Sequence, residues 1–167
     1  RVWAATSGKE VSRLQNEGMA GSVSYDTQGN HVSFSPDGKY VATAGLNDVT
    51  RVWEAASGRH VSLLRHPGQA HSVAFSPDGK YVATAGRDEE AVVWESDSGK
   101  EVVRLGHEDS VHSIAFGPDG KYLATASGDR TARVWELATT KEVSRLRHVG
   151  WNFKGVLFSQ DDKHVVT

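Results

Sequence analysis

The chain has 167 residues, 19 of them Lys or Arg against 21 Asp or Glu, for a formal net charge of −2 with histidine neutral. A nucleic-acid surface needs a basic excess that this balance does not supply, so composition argues against a nucleic-acid partner. With no cysteine and no signal-like or membrane-spanning apolar run, the sequence reads as soluble and cytoplasmic, with no membrane association.

In chain order, Arg1-Val2-Trp3 begins an extended run and Ser7-Gly8-Lys9 forms a turn, so residues 1–14 read as half of a stranded unit. Gln15 to Asn30 then hold nine residues more than the later spacing allows, a loop that bears Met19 and Tyr25 and could reach a ligand. Next comes a phrase that organises everything after it. Phe34 to Gly45 recurs letter for letter at Phe75 to Gly86, recurs with changes at Phe116 to Ser127, and returns eroded at Phe158 to Thr167. The interval is 41 residues twice, from Phe34 to Phe75 and to Phe116, then 42 to Phe158. A tandem array with this period is a solenoid or a propeller.

Each period predicts four short strands and nothing with helical spacing. In the third period they fall at Val111 to Phe116, Lys121 to Ala126, Thr131 to Glu136 and Lys141 to Leu146. Pro118-Asp119-Gly120 reverses the chain between the first two, because Pro presets φ and Gly accepts a positive one. Ser57-Gly58-Arg59 and Ser98-Gly99-Lys100 mark a second recurring turn. Four such strands form one small antiparallel sheet that must bury both faces against its neighbours.

Trp53-Glu54, Trp94-Glu95 and Trp135-Glu136 keep the same beat, and Gly106-His107 opens the third unit, with Arg65-His66 and Arg147-His148 as worn counterparts. On these residues the whole chain resembles a WD-repeat (WD40-type) β-propeller, of the bacterial-like kind built from near-identical blades. The resemblance implies an all-β fold of four-stranded antiparallel blades: three complete blades plus two half-blades, equivalent to four. They form a single propeller segment: half-blade 1–14, blades at about 31–65, 71–105 and 111–146, and a half-blade at about 154–167. It further implies a buried polar tetrad in each blade, carried here by His66, Thr84, Asp88 and Trp94 and by His107, Thr125, Asp129 and Trp135. In the first full blade Asn47 takes the acid position and Tyr25 falls where the histidine would count.

A histidine, an acid and a hydroxyl together also suit catalysis, yet the set occurs twice in copied positions, which favours packing over a unique nucleophile beside a cleft. We therefore expect no catalytic residues and no enzyme. No metal or cofactor is expected either, since there is no Cys or His-Glu-x-x-His and His107 and His112 point to opposite faces of an extended segment.

Residues that break the repeat on the loop face are the binding candidates: Tyr25 in the insertion, Leu46 and Arg87 before the turn acid, and Gln69, His71, Ser110, His112, Asn152 and Lys154 beside the first strands. Trp151, the one tryptophan out of phase, joins them as an interface anchor. The expected function is a non-enzymatic scaffold for a protein or peptide partner, within a larger propeller or multidomain protein. The alternatives are a purely architectural ring, with two copies forming eight blades, or a regulatory sensor module of a signalling enzyme. Arg1 aligns with Arg51 and Thr167 with Thr43, so the end half-blades read as open, to be completed within one ring, by further blades of the same polypeptide or by a second copy.

Overall fold

The computed structural model describes residues 1–14, 32–44, 49–149 and 155–167. Sixteen strands in five antiparallel sheets make up the described chain. Strands β1 (Val2–Trp3) and β2 (Glu10–Ser12) form a two-stranded sheet. A four-stranded sheet follows from β3 (Val32–Phe34), β4 (Tyr40–Ala44), β5 (Val49–Glu54) and β6 (His60–Arg65). The second has β7 (Ala70–Phe75), β8 (Tyr81–Gly86), β9 (Glu90–Glu95) and β10 (Glu101–Gly106). The third has β11 (Val111–Phe116), β12 (Tyr122–Ser127), β13 (Thr131–Glu136) and β14 (Lys141–Arg147). A last pair, β15 (Leu157–Phe158) and β16 (Val165–Val166), closes the series. Every strand pairs with its neighbour in sequence, as hairpins dictate, and this is the all-β blade architecture expected of a propeller.

Each middle strand is apolar on both sides because each sheet lies between two others. Val82, Val92 and Trp94 pack with Ala42, Val52 and Leu64 of the preceding sheet. Ala83, Ala85, Ala91 and Val93, the alternate residues of the same strands, pack with Val111, Leu123 and Trp135 of the next. The period of two thus serves two interfaces, and small alanines on one side let the sheets approach closely. The inner strands β3, β7 and β11 lie against one another, which puts them around a common axis.

The copied turns have local causes. Ser35 Oγ donates to Asp37 Oδ1 at 2.7 Å and accepts the Tyr40 N–H at 2.9 Å, while Gly38 takes a φ of 70°. The identical bonds recur at Ser76, Asp78 and Tyr81. At the other recurring turn Gly58 and Gly99 have positive φ, and a Cβ on either would lie 2.8 or 2.7 Å from the carbonyl oxygen of Arg13 or Leu63 in the preceding sheet. Only glycine meets both conditions. Buried serines join the sheets as well, Ser12 donating to the Ala55 carbonyl and Ser62 to the Ser96 carbonyl, each at 2.6 Å.

Among the described residues no ladder joins the two half-units into a fourth blade. Strands β1–β2 and β15–β16 are separate two-stranded sheets at opposite ends of the series, with no ladder between them. Their faces are interior in type. Trp3 is 54 % exposed, whereas Trp53 and Trp94 at the same repeat position are 4 % exposed.

Candidate functional site

The second and third sheets each assemble a chain of polar side chains from three elements. In the third, Trp135 Nε1–H donates to Thr125 Oγ1 at 2.9 Å, Thr125 lies 2.7 Å from His107 Nε2, and His107 Nδ1 lies 2.9 Å from Asp129 Oδ2. The ionised Asp129 carboxylate can only accept, so the proton of the neutral imidazole sits on Nδ1; Nε2 is then an acceptor, and the threonine hydroxyl that accepts from tryptophan donates to it. Burial pushes His107 below its ordinary pKa, outweighing the pull of Asp129. The ring is therefore a neutral link. Burial also works against the ionised form of Asp129, but bonds from the Thr131 hydroxyl, His107 and the Glu108 and Thr131 N–H groups hold the carboxyl far below the usual range.

The second sheet makes the same connection with the ring reversed. His66 Nε2 faces Asp88 Oδ1 at 2.7 Å and Nδ1 faces Thr84 Oγ1 at 2.9 Å, with Trp94 Nε1–H donating to Thr84 at 2.8 Å. Asp88 Oδ2 is buried without a partner. The reason lies two and four residues on: Thr131 and Arg133 both serve Asp129, but Glu90 and Val92 occupy those positions here. Arg133 is a member that reading by tetrad overlooks. It is buried, donates Nη2–H to Asp129 at 2.9 Å and Nη1–H to the Gly106 carbonyl at 3.1 Å. Its signal was present in Arg1-Val2-Trp3, Arg51-Val52-Trp53 and Arg133-Val134-Trp135.

In the first sheet Trp53 Nε1–H donates to Thr43 Oγ1 at 2.9 Å; Tyr25, Leu46 and Asn47 lie outside the described residues. A further partial set occurs beyond the third sheet, where His148 Nε2 and Thr167 Oγ1 are 2.6 Å apart. In the second and third sheets the threonine hydroxyls of these chains, Thr84 and Thr125, are fully buried. Among the described residues no group of three or more His, Cys, Asp or Glu could hold a metal ion, and no helix is long and apolar enough to cross a membrane.

The loop-face candidates divide in two. Trp151, Asn152 and Lys154 lie outside the described residues. Gln69 and Ser110 contribute mainly backbone, their carbonyls accepting the N–H groups of Arg87 at 3.1 Å and Gly128 at 2.9 Å. His71, Arg87 and His112 come together. The β7–β8 register shifts between Ala70 and Ser72, and the β11–β12 register shifts between Val111 and Ser113. His71 and His112 are thus the extra residues of two matching bulges, a device that re-aims a side chain. Their rings approach to 6.1 Å across the gap between sheets, tilted by 45°. Arg87 Nε–H donates to His71 Nε2 at 3.3 Å.

One expectation needs correction at this site: His71, read as an exposed loop-face residue, is only 3 % exposed. The bulge turns it inward and Arg87 covers it. His112 is half-buried, its Nδ1 enclosed without a partner. The residue that would cover it is Gly128, where a Cβ would meet Asp109 Oδ2 at 2.9 Å and His112 Nε2 at 3.3 Å.

The fold is that of four-stranded antiparallel propeller blades, similar to those of WD-repeat proteins. Residues 99–136 match the family model described as WD domain, G-beta repeat, and residues 14–90 match the model described as Eukaryotic translation initiation factor eIF2A. The solved structures it resembles include the RRP9 WD40 repeats, at 26% identity and a TM-score of 0.68, over 75% of this chain and 40% of that one. They also include U3-55K, at 26% identity and a TM-score of 0.69, over 75% of this chain and 41% of that one. The chain thus spans about two fifths of the length of these relatives. No curated protein matches it. Nothing in these likenesses supports a bacterial-type array, and nothing in them supports excluding nucleic acid as a partner, an exclusion that rested on charge alone.

Proposed function

We propose that these blades form a binding module that holds a protein or peptide partner on the loop face, without chemistry of its own. The observation that carries the reading is the meeting of His71, Arg87 and His112. Arg87, whose place the other repeats give to Leu46 and Gly128, meets two histidines that share one repeat position and are aimed by matching bulges of two sheets. A rigid sheet edge is where precise recognition is built. A soluble cytoplasmic setting goes with this proposal.

The test compares partner capture by two variants. Arg87→Glu with His112→Ala should lose the captured protein, while Ser57→Ala, Ser98→Ala and Thr139→Ala in the opposite turns should retain it, with unchanged β-sheet circular dichroism in both. Equal capture by the two variants would defeat the reading.

A second reading concerns assembly, and the exposure of Trp3 favours it. Strands β1–β2 and β15–β16 present interior-type faces and unpaired edges, which folded proteins cover. We propose that further blades of the same polypeptide or a second copy cover them, two copies giving eight blades. Light scattering on the purified chain tests the second-copy form, which predicts twice the 18.1 kDa mass.

A further inference from the structure

We propose that the notch formed by Arg87, His112 and Gly128 is a subsite for one isolated oxyanion, a carboxylate or phosphate, presented by a peptide segment; the proposal rests on the loop-face reading above. Arg87 spends only its Nε–H, on His71, and its two terminal nitrogens make no hydrogen bond or ion pair with any described residue. The acids that follow it in sequence do not neutralise it. Asp88 is held by His66 at 2.7 Å, and Glu90 is held by Arg104 at 2.6 Å. The exposed guanidinium therefore keeps its fork of donors, the geometry that fits a carboxylate or phosphate.

His112 supplies the second donor. Its Nδ1 is enclosed with no partner, and a buried orphan costs less as a lone pair than as an N–H, so the neutral ring carries its proton on Nε2. That nitrogen faces the position where a Cβ on residue 128 would lie, 3.3 Å away. Leu46 and Arg87 occupy the matching position in the other repeats; the glycine leaves it to a ligand atom once the exposed Asp109 side chain, whose Oδ2 lies 2.9 Å from it, swings aside.

Charge decides the class of ligand. Asp109 Oδ2 also borders the gap, and Glu89 and Glu108 are exposed on the same loops. A run of phosphates would meet these acids, whereas one oxyanion flanked by basic residues would match both signs. The same arrangement thus selects a peptide with a single acidic or phosphorylated residue between lysines or arginines, and disfavours a nucleic-acid backbone.

The experiment uses the full chain and fluorescein-labelled nonapeptides that place phosphoserine, glutamate or serine between lysines, with oligouridylate as a fourth probe, read by anisotropy. The phosphoserine and glutamate peptides should each bind at least about tenfold tighter than the serine peptide, the discrimination expected of one charge-assisted contact. Arg87→Ala and His112→Phe should each reduce that preference, and Gly128→Leu should fill the notch and abolish it, with circular dichroism unchanged. Equal binding of the three peptides, a preference that survives Arg87→Ala, or oligouridylate binding that outranks phosphoserine would each overturn the subsite. If the subsite fails while partner capture still depends on Arg87 and His112, the binding-face reading stands; if capture is also indifferent to them, both fall.

Discussion

Two departures from the repeat, Gly117 for serine and Asp162 for glycine, are predicted to be one coupled feature. Asp162 holds the left-handed turn position with a φ of 57° and accepts the Asp119 N–H on Oδ2 at 2.9 Å, which pins the last hairpin to the third sheet. Its other oxygen, Oδ1, would clash with a Cβ on residue 117. Gly117→Ser must displace that carboxylate and lose the bond to Asp119, at a cost of about 1–3 kcal/mol. Asp162→Gly loses the same bond, but it relieves the positive φ of a non-glycine residue, and these effects of about 1 kcal/mol each nearly cancel. Once Asp162 is gone, a serine at 117 can make the turn bonds that Ser35 and Ser76 make, so Gly117→Ser should then stabilise by about 0.5–1.5 kcal/mol. Urea unfolding of the wild type, both single variants and the double variant measures this reversal of sign. Additive single effects, with a coupling below about 0.5 kcal/mol, would refute it.

Removing the link of the third tetrad, His107→Ala, should destabilise by about 1–3 kcal/mol because Asp129 and Thr125 each lose a buried partner, while ligand capture survives; chemical denaturation and capture on the same sample check both. Because His107 titrates lower folded than unfolded, the unfolded chain takes up its proton first on acidification, so this contribution to stability is complete above about pH 6.5 and declines below it. Melts from pH 7 to pH 5 should therefore slope less in His107→Gln than in wild type. Asp37, lowered to about 2 by the Ser35 hydroxyl above all, contributes stability that is present above the ordinary carboxylate range and lost as pH falls toward 2. Thr140 occupies the glycine position of the second turn with a φ of 59°, so Thr140→Gly should raise stability by about 0.5–1.5 kcal/mol, read as an increase in Tm.

Repetition made the strand order legible, because each hairpin turn is written in residues whose geometry admits little else: Gly58 and Gly99 need both a positive φ and the absence of a Cβ. In the third sheet the strands follow the predicted runs within a residue, the second at Tyr122–Ser127 where Lys121 to Ala126 was expected. What sequence could not convey was orientation within an element. The two tetrad histidines sit at identical spacings, yet their rings present opposite nitrogens to the acid. The bulges that bury His71 leave no mark on the apolar alternation, so its exposure was misread. Arg133 escaped because a charged residue on a strand flanked by apolar neighbours suggests solvent, and only the carboxylate of Asp129 makes its burial tolerable. The coupling of Gly117 to Asp162 looks like wear in the sequence and becomes a contact only in three dimensions.

Position-specific photo-crosslinking tests the binding-face account most directly. A photoreactive benzoylphenylalanine at Glu89 or Glu108, both exposed on the loops around Arg87 and His112, should crosslink to the captured partner, and the same group at Ser57 or Ser98 in the opposite turns should not. Crosslinks from the opposite turns at equal or greater yield would contradict the assignment of the loop face.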